Sequence, residues 1–301
     1  MSGRLIRDTS EIFSIEYGDI IEIADKRYTV MGHEYERRFG MEEPKFWIRR
    51  AVDQETGEKK IIKLPFPESF ETYFGKAKVK YVRNPHKEAQ ILEIVKYNPS
   101  FINGIVRRDQ GGNVIRILDL VPGPNFLVYI DSLNMDFETY YCTALPDILK
   151  KLVAAFEAIH FLHKYGLKHG DIRNDHIIVV RHSGNYVWID FDYDYEIDDN
   201  PFAIEILELG NILINAIGKG FHTIQKIMND PMTYGGLKDR LEPGDFSFMH
   251  KRRFINLKKH YPFIPNPLNN MLMRFSTKAD SYYGSVEELI EDMNKCLLCI
   301  S

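Results

Sequence analysis

The chain has 301 residues, 44% of them apolar and 27% charged, with a net charge of −4. That is an ordinary globular composition, long enough for two domains of about 150 residues or one domain with two lobes, and its charge balance points to neither nucleic acid nor an anionic membrane surface as a partner. Three cysteines (Cys142, Cys296 and Cys299) make no disulfide framework, no run of about 20 apolar residues spans a membrane, and MSGRLIRDTS lacks the apolar stretch of a secretory signal; a cytoplasmic location is expected.

In chain order, the first 119 residues read mostly as strands. Lys26–Gly32, Lys45–Asp53 and Glu58–Leu64 are rich in β-formers; the last two flank the turn Gln54-Glu55-Thr56-Gly57, a hairpin signal. Asn84 and Pro85 open a helix with Ala89, Ile91, Leu92 and Val95 on its apolar side. Two further strands are expected around Gln110-Gly111-Gly112-Asn113. Val121-Pro122-Gly123-Pro124-Asn125 is the clearest break. Beyond it, Leu145 to Gly166 is a long helix, followed by the loop His169–Asp175 and two short β-rich segments, His176–Val180 and Tyr186–Phe191. Helices are expected at Ala203–Ile217, around Phe221–Met228 and at Ser285–Leu298, where Cys296 and Cys299 read as two thiols on the last helix. Residues 231–268 give no clear pattern. The layout is α+β: residues 1–20 as an N-terminal extension, 21–119 as a small antiparallel-sheet lobe with one helix, and 120–301 as a larger helical lobe, with a cleft between lobes as the expected ligand site.

Asp171 and Asp190 stand on either side of the expected hairpin, which can bring both carboxylates to one side. Two nearby carboxylates repel unless a proton or cation joins them, and magnesium prefers one or two carboxylates plus phosphate oxygens.

These residues carry a resemblance. His169-Gly170-Asp171-Ile172-Arg173-Asn174-Asp175-His176 resembles the catalytic loop of the protein-kinase-like superfamily, in a His-Gly-Asp form similar to that of aminoglycoside phosphotransferases. Ile189-Asp190-Phe191-Asp192 resembles the metal-binding Asp-Phe-Gly segment. Ile61-Ile62-Lys63 resembles the third-strand lysine motif, Glu88 its ion-pair partner (with Glu93 as a rival), and Asp119-Leu120-Val121-Pro122-Gly123 the hinge. Leu209–Leu213 and Ser285–Leu289 resemble later helices of serine/threonine kinases, so the likeness runs over about residues 20–298.

The resemblance implies a two-lobed kinase-like fold and transfer of the ATP γ-phosphate to a hydroxyl, with a protein Ser/Thr favoured over a small molecule. Asp171 would take or orient the acceptor proton, and Arg173 would touch the γ-phosphate. Lys63, held by Glu88, would bind the α- and β-phosphates. Asp119 and Val121 would meet adenine through their backbone, and Gly32 would lie near the phosphates. Asp190 would hold Mg2+, with Mn2+ as the other candidate, and His176 stands at the second metal position.

The chain departs from the family in five places. Only Gly32 and Gly40 flank His33–Phe39 where three close glycines belong, His176 replaces an asparagine, and Asp192 replaces a glycine. Glu205 replaces an aspartate, and the segment between Asp190 and Leu209 is short. Imidazole suits manganese or zinc better than magnesium. Asp192 and Asp194 read either as further carboxylates near a metal or as surface charge. These departures leave a rival, a pseudokinase that binds nucleotide or acts as a scaffold without turnover. Nucleotidyl transfer onto protein is a third reading that no residue selects.

Overall fold

The computed structural model describes residues 3–38, 41–75, 77–197 and 199–300; Gly40 and Phe39 lie outside them. The fold is mixed α and β. The N-terminal part runs β1 (Leu5–Ile6), β2 (Ile20–Ile23), β3 (Lys26–Arg38), β4 (Met41–Asp53), β5 (Lys59–Lys63), β6 (Ser69–Phe74), β7 (Ala77–Arg83), α1 (Pro85–Ile94), β8 (Gly104–Arg108) and β9 (Val114–Asp119). Next come α2 (Phe126–Ser132), α3 (Phe137–Thr143), α4 (Leu145–Lys164), β10 (Ile177–Val179), β11 (Tyr186–Trp188), β12 (Tyr193–Tyr195) and α5 (Ala203–Ile217). The chain ends through β13 (His222–Thr223), α6 (Ile224–Asn229), α7 (Pro231–Tyr234), β14 (Arg253–Phe254), α8 (Asn266–Met273) and α9 (Val286–Ile300).

Two compact units divide these elements. The first comprises Met1–Phe70, Val82–Pro122 and Asp192–Asp194; the second comprises Glu71–Tyr81, Gly123–Phe191 and Tyr195–Ser301. Among the described residues no helix is long and apolar enough to cross a membrane.

The first unit is built on a seven-stranded sheet in the order β1-β2-β3-β4-β5-β9-β8. β1 pairs with β2 in parallel, and the remaining pairs are antiparallel. Alternation along the strands sends Ile21, Val30, Ile62, Leu64 and Ile115 into a shared core where each is fully buried. The register places Lys63 opposite Arg116, two cations side by side on neighbouring strands. Like charges opposite one another destabilise a sheet, so this pair demands a carboxylate.

That carboxylate comes from α1. Asn84 caps the helix by accepting from the His86 and Lys87 amides, and Pro85 occupies its first turn. The cap fixes the helix start and puts Glu88 in the first turn, fully buried. In β3 the ladder shifts register at Gly32, whose φ of +128° lies outside the range that side chains normally adopt.

The second unit is organised around α4. Its buried stripe includes Ile148, Leu152, Phe156, Ile159 and Leu162, and it packs against α5 and α9. The α9 stripe of Val286, Leu289, Ile290, Met293 and Cys296 follows helical spacing. Trp188 of β11 is fully buried and donates its Nε1–H to the Ala155 carbonyl at 2.8 Å, tying the β10–β11 hairpin to α4. At the start of this unit's second segment, Gly123 presses its backbone against β10: a Cβ there would fall 2.0 Å from the Val179 carbonyl oxygen.

Several elements escape the sequence reading. β6 and β7, with β12, form a three-stranded sheet in the order β12-β7-β6. Residues 231–268, which gave no pattern, hold α7, β14, the start of α8 and several 3-10 turns. β14 pairs with β13 from just ahead of this stretch, Phe254 opposite His222.

Candidate functional site

The first unit contains a buried ionic cluster. Lys63 Nζ donates to Glu88 Oε1 at 2.7 Å, and Arg116 Nε donates to Glu88 Oε2 at 2.9 Å. One carboxylate thereby neutralises the two cations that the β5–β9 register sets side by side. Glu93, the rival partner in the same helix, is exposed. Lys63 Nζ also lies 3.2 Å from Asp192 Oδ2, and Arg83 Nη1 reaches the same oxygen at 2.5 Å. Arg83 continues through Nη2 to Glu68 at 2.6 Å and to the Tyr193 hydroxyl at 2.7 Å. Neighbouring acids outweigh the cost of burying the Arg83 guanidinium, so its pKa lies above the usual value.

Asp192 departs from one of the two expectations set for it, surface charge. It is 2% exposed, so it is not surface charge, and its Oδ2 is taken up by Lys63 and Arg83. Its main chain is also held, its carbonyl accepting from the Asn84 amide at 2.6 Å.

Two other expected ligand residues lie in this unit. Asp119 ends β9, where its side chain accepts from Lys60 at 2.8 Å and from Asn103 at 2.9 Å. Val121 follows, half-buried. Those side-chain bonds occupy the Asp119 carboxylate with local cations and amides, leaving its expected role to the backbone.

The second unit carries the loop His169–His176. Gly170 has a φ of +89°, and its amide donates to Glu205 Oε1 at 2.6 Å. Glu205 is fully buried on α5; its Oε2 meets His163 Nε2 at 2.6 Å. His163, from the end of α4, stacks on Phe202 with ring centroids 3.9 Å apart. Two helices therefore hold the loop through one carboxylate.

Beyond that anchor, the loop and hairpin bring Asp171, His176 and Asp190 together. His176 Nδ1 lies 2.8 Å from the Asp171 carbonyl oxygen and 3.5 Å from Asp171 Oδ2; its Nε2 lies 3.8 Å from Asp190 Oδ2. A carbonyl only accepts, so Nδ1 carries a proton. In the neutral ring, Nε2 then presents its lone pair on the Asp190 side. The Ile189 amide donates to the His176 carbonyl at 3.0 Å, which pins the residue before Asp190 to the end of the loop. Asp190 itself has a φ of +60°, a left-handed conformation uncommon for any residue but glycine and enriched at ligand sites.

Burial is the largest influence on the Asp171 carboxyl and raises its pKa; His176 and Arg173 oppose this and Asp190 adds to it. Arg173 makes a two-pronged pair with Asp175, at 3.0 and 2.6 Å. Burial acts to raise the Asp175 carboxyl, but His176 and Arg173 beside it hold its pKa below the usual value.

The sequence reading missed Arg83, Arg116 and Glu208. Arg116 left a signal: a lone cation inside the otherwise apolar strand Val114–Leu118 needs a buried partner. Glu208 sits one turn after Glu205 on α5. Burial first, then Asp171 and Glu205, push its carboxyl well up, and among the described residues its Oε2 has no hydrogen-bond partner.

Among the described residues, no group of three or more His, Cys, Asp or Glu side chains could hold a metal unaided. The donors at hand, Asp190 Oδ2 and His176 Nε2, fit an ion that completes its shell with water and phosphate oxygens. The second donor is a nitrogen, which suits manganese better than magnesium. No known family model matches the chain, and no curated protein matches it by sequence.

Proposed function

We propose that the chain is an ATP-dependent phosphotransferase of the protein-kinase-like superfamily, with that superfamily's two-lobed fold. The observation that carries this reading is the pair of carboxylates, Asp171 and Asp190, on either side of one imidazole, with nitrogen-to-oxygen distances of 3.5 and 3.8 Å. The buried Lys63–Glu88 pair supports it, because an ammonium fixed by a carboxylate is a ready partner for phosphate oxygens.

In this reading Asp171 accepts the proton of an acceptor hydroxyl. The hydroxyl oxygen bonds to the γ-phosphorus, the bond from that phosphorus to the bridging oxygen breaks, and ADP leaves with the electron pair. A carboxyl pKa raised by burial makes a stronger base than an exposed aspartate. Arg173 and Lys63 bind phosphate oxygens, and the backbone at Asp119 and Val121 meets adenine. Asp190 and His176 are the residues that would hold a divalent cation, which when bound neutralises phosphate charge. The acceptor is a hydroxyl on a protein serine or threonine in preference to a small molecule.

Thermal unfolding with ATP and either Mg2+ or Mn2+ tests the binding half of the proposal. Nucleotide at 100 times its Kd stabilises the folded state by about 2.7 kcal/mol. An unchanged midpoint with both metals at millimolar nucleotide rules out an ATP site. The second reading, binding without turnover, is favoured by the 1% exposure of Lys63. Asp171→Asn separates the two readings: the transferase loses about 10²–10⁴-fold in transfer rate and keeps its nucleotide affinity.

A further inference from the structure

Around Asp192 the first unit brings two buried cations onto one carboxylate. A single oxygen, Asp192 Oδ2, lies 3.2 Å from the Lys63 ammonium and 2.5 Å from Arg83 Nη1. An ammonium and a guanidinium converging on one acceptor oxygen is the arrangement that recognises phosphate. Both cations are held independently of Asp192. Lys63 keeps Glu88 at 2.7 Å, and Arg83 keeps Glu68 at 2.6 Å and the Tyr193 hydroxyl at 2.7 Å. The Arg83 guanidinium also lies 4.9 Å from the centroid of the Trp47 ring and 4.5 Å from that of Tyr193. Removing the carboxylate thus leaves two fixed donors aimed at one vacated position.

Access is closed at the same point. Lys63 is 1% exposed and Asp192 2%. The main chain beside the carboxylate is anchored separately, by the Asn84 amide on the Asp192 carbonyl and by Lys87 on the Tyr193 carbonyl. The backbone anchors do not involve the Asp192 carboxylate, so its side chain is the part that has to move to clear the two cations.

We propose that Asp192 is an internal stand-in for a phosphate oxygen: it occupies a phosphate-binding position at Lys63 and Arg83 and must swing away before a phosphate ligand can bind. The ligand class is a phosphate oxyanion, either free polyphosphate or the tail of a nucleoside triphosphate. The anion site rests on the geometry alone; that its natural occupant is ATP rests on the reading under Proposed function. In the intact chain, affinity is lowered by the fraction of molecules with Asp192 in place.

Isothermal titration of inorganic tripolyphosphate, and separately of ATP, into the full chain tests this. Asp192→Ala binds tripolyphosphate at least tenfold more tightly than the wild type, and adding Lys63→Met removes the gain. Unchanged or weaker binding by Asp192→Ala, with a cooperative melt, overturns the proposal. If Asp192→Ala fails to fold, Asp192→Asn decides: it fills the same volume without the charge, so a gain of threefold or more supports the proposal and no gain overturns it. A gain for tripolyphosphate but none for ATP upholds the anion site and removes the nucleotide reading. A gain for neither overturns the anion site even when wild-type protein transfers phosphate.

Discussion

At the residue scale, the chemistry gathers in two clusters that differ in how legible they were. Lys63 and Glu88 were singled out through the motifs they resemble, with Glu93 as a rival partner, and the structure pairs the two at 2.7 Å. Arg83 and Asp192 were not legible as a pair, because pairing residues so distant in sequence depends on tertiary structure alone. The cluster around Glu88 makes an ordering prediction. Lys63→Met leaves Glu88 with Arg116, so unfolding free energy falls by about 3 kcal/mol, the low end for breaking a buried pair. Glu88→Gln leaves Lys63 and Arg116 facing each other across the β5–β9 register and costs about 5 kcal/mol. Urea denaturation of both variants checks the order, and a smaller loss for Glu88→Gln contradicts it. Glu208 gives a second prediction, with its sign set by linkage. Its folded pKa is raised, so between its unfolded value near 4.3 and the folded value the native state binds more protons, and stability falls as pH rises through that window. Glu208→Gln therefore gains more in melting temperature over wild type at pH 8 than at pH 5. An equal gain at both pH values would show that the carboxyl is not desolvated as described.

At the element scale, the sequence showed what had a long period. The helices α4, α5 and α9 present apolar stripes over 15 to 20 residues, and their approximate extents were readable. The hairpin of β6 and β7 mixes exposed Phe70 and Tyr73 with charge, so its alternation carried little contrast. Residues 231–268 fold into pieces of a few residues each, too short for any period to register. Just ahead of that region His222 is held between the Tyr234 hydroxyl and the Gly218 carbonyl, each at 2.9 Å, and burial lowers its pKa to about 4. The unfolded imidazole titrates near 6.5, so between pH 6.5 and 4 the unfolded chain binds more protons. The neutral ring's contribution, on the order of 3 kcal/mol, is complete above that window and is lost as pH falls through it. His222→Gln flattens this acid limb in denaturation curves at pH 4.5 and 7; an unchanged limb would assign it to other groups. Gly123 supplies the packing test. Gly123→Ala forces its backbone and β10 apart and costs about 2–3 kcal/mol, read from its urea midpoint. A neutral substitution there would mean that the strand gives way.

At the scale of the whole molecule, the break at Val121–Asn125 was readable because Pro and Gly interrupt both helix and strand. The short returns of the chain were not. Each compact unit is assembled from three segments, and the first takes Asp192–Asp194 from far along the sequence. Nothing local in those three residues announces this; it follows from Arg83, Lys63 and Asn84 waiting for them. The catalytic proposal belongs to this scale too. Its most direct test is transfer of radiolabelled γ-phosphate from ATP, with Mg2+ or Mn2+, to acceptors in a cell extract, wild type against Asp171→Asn. The account predicts label on an acceptor with the wild type and at least a hundredfold less with the folded variant. Equal labelling by both proteins, or none by the wild type with either metal, would contradict it.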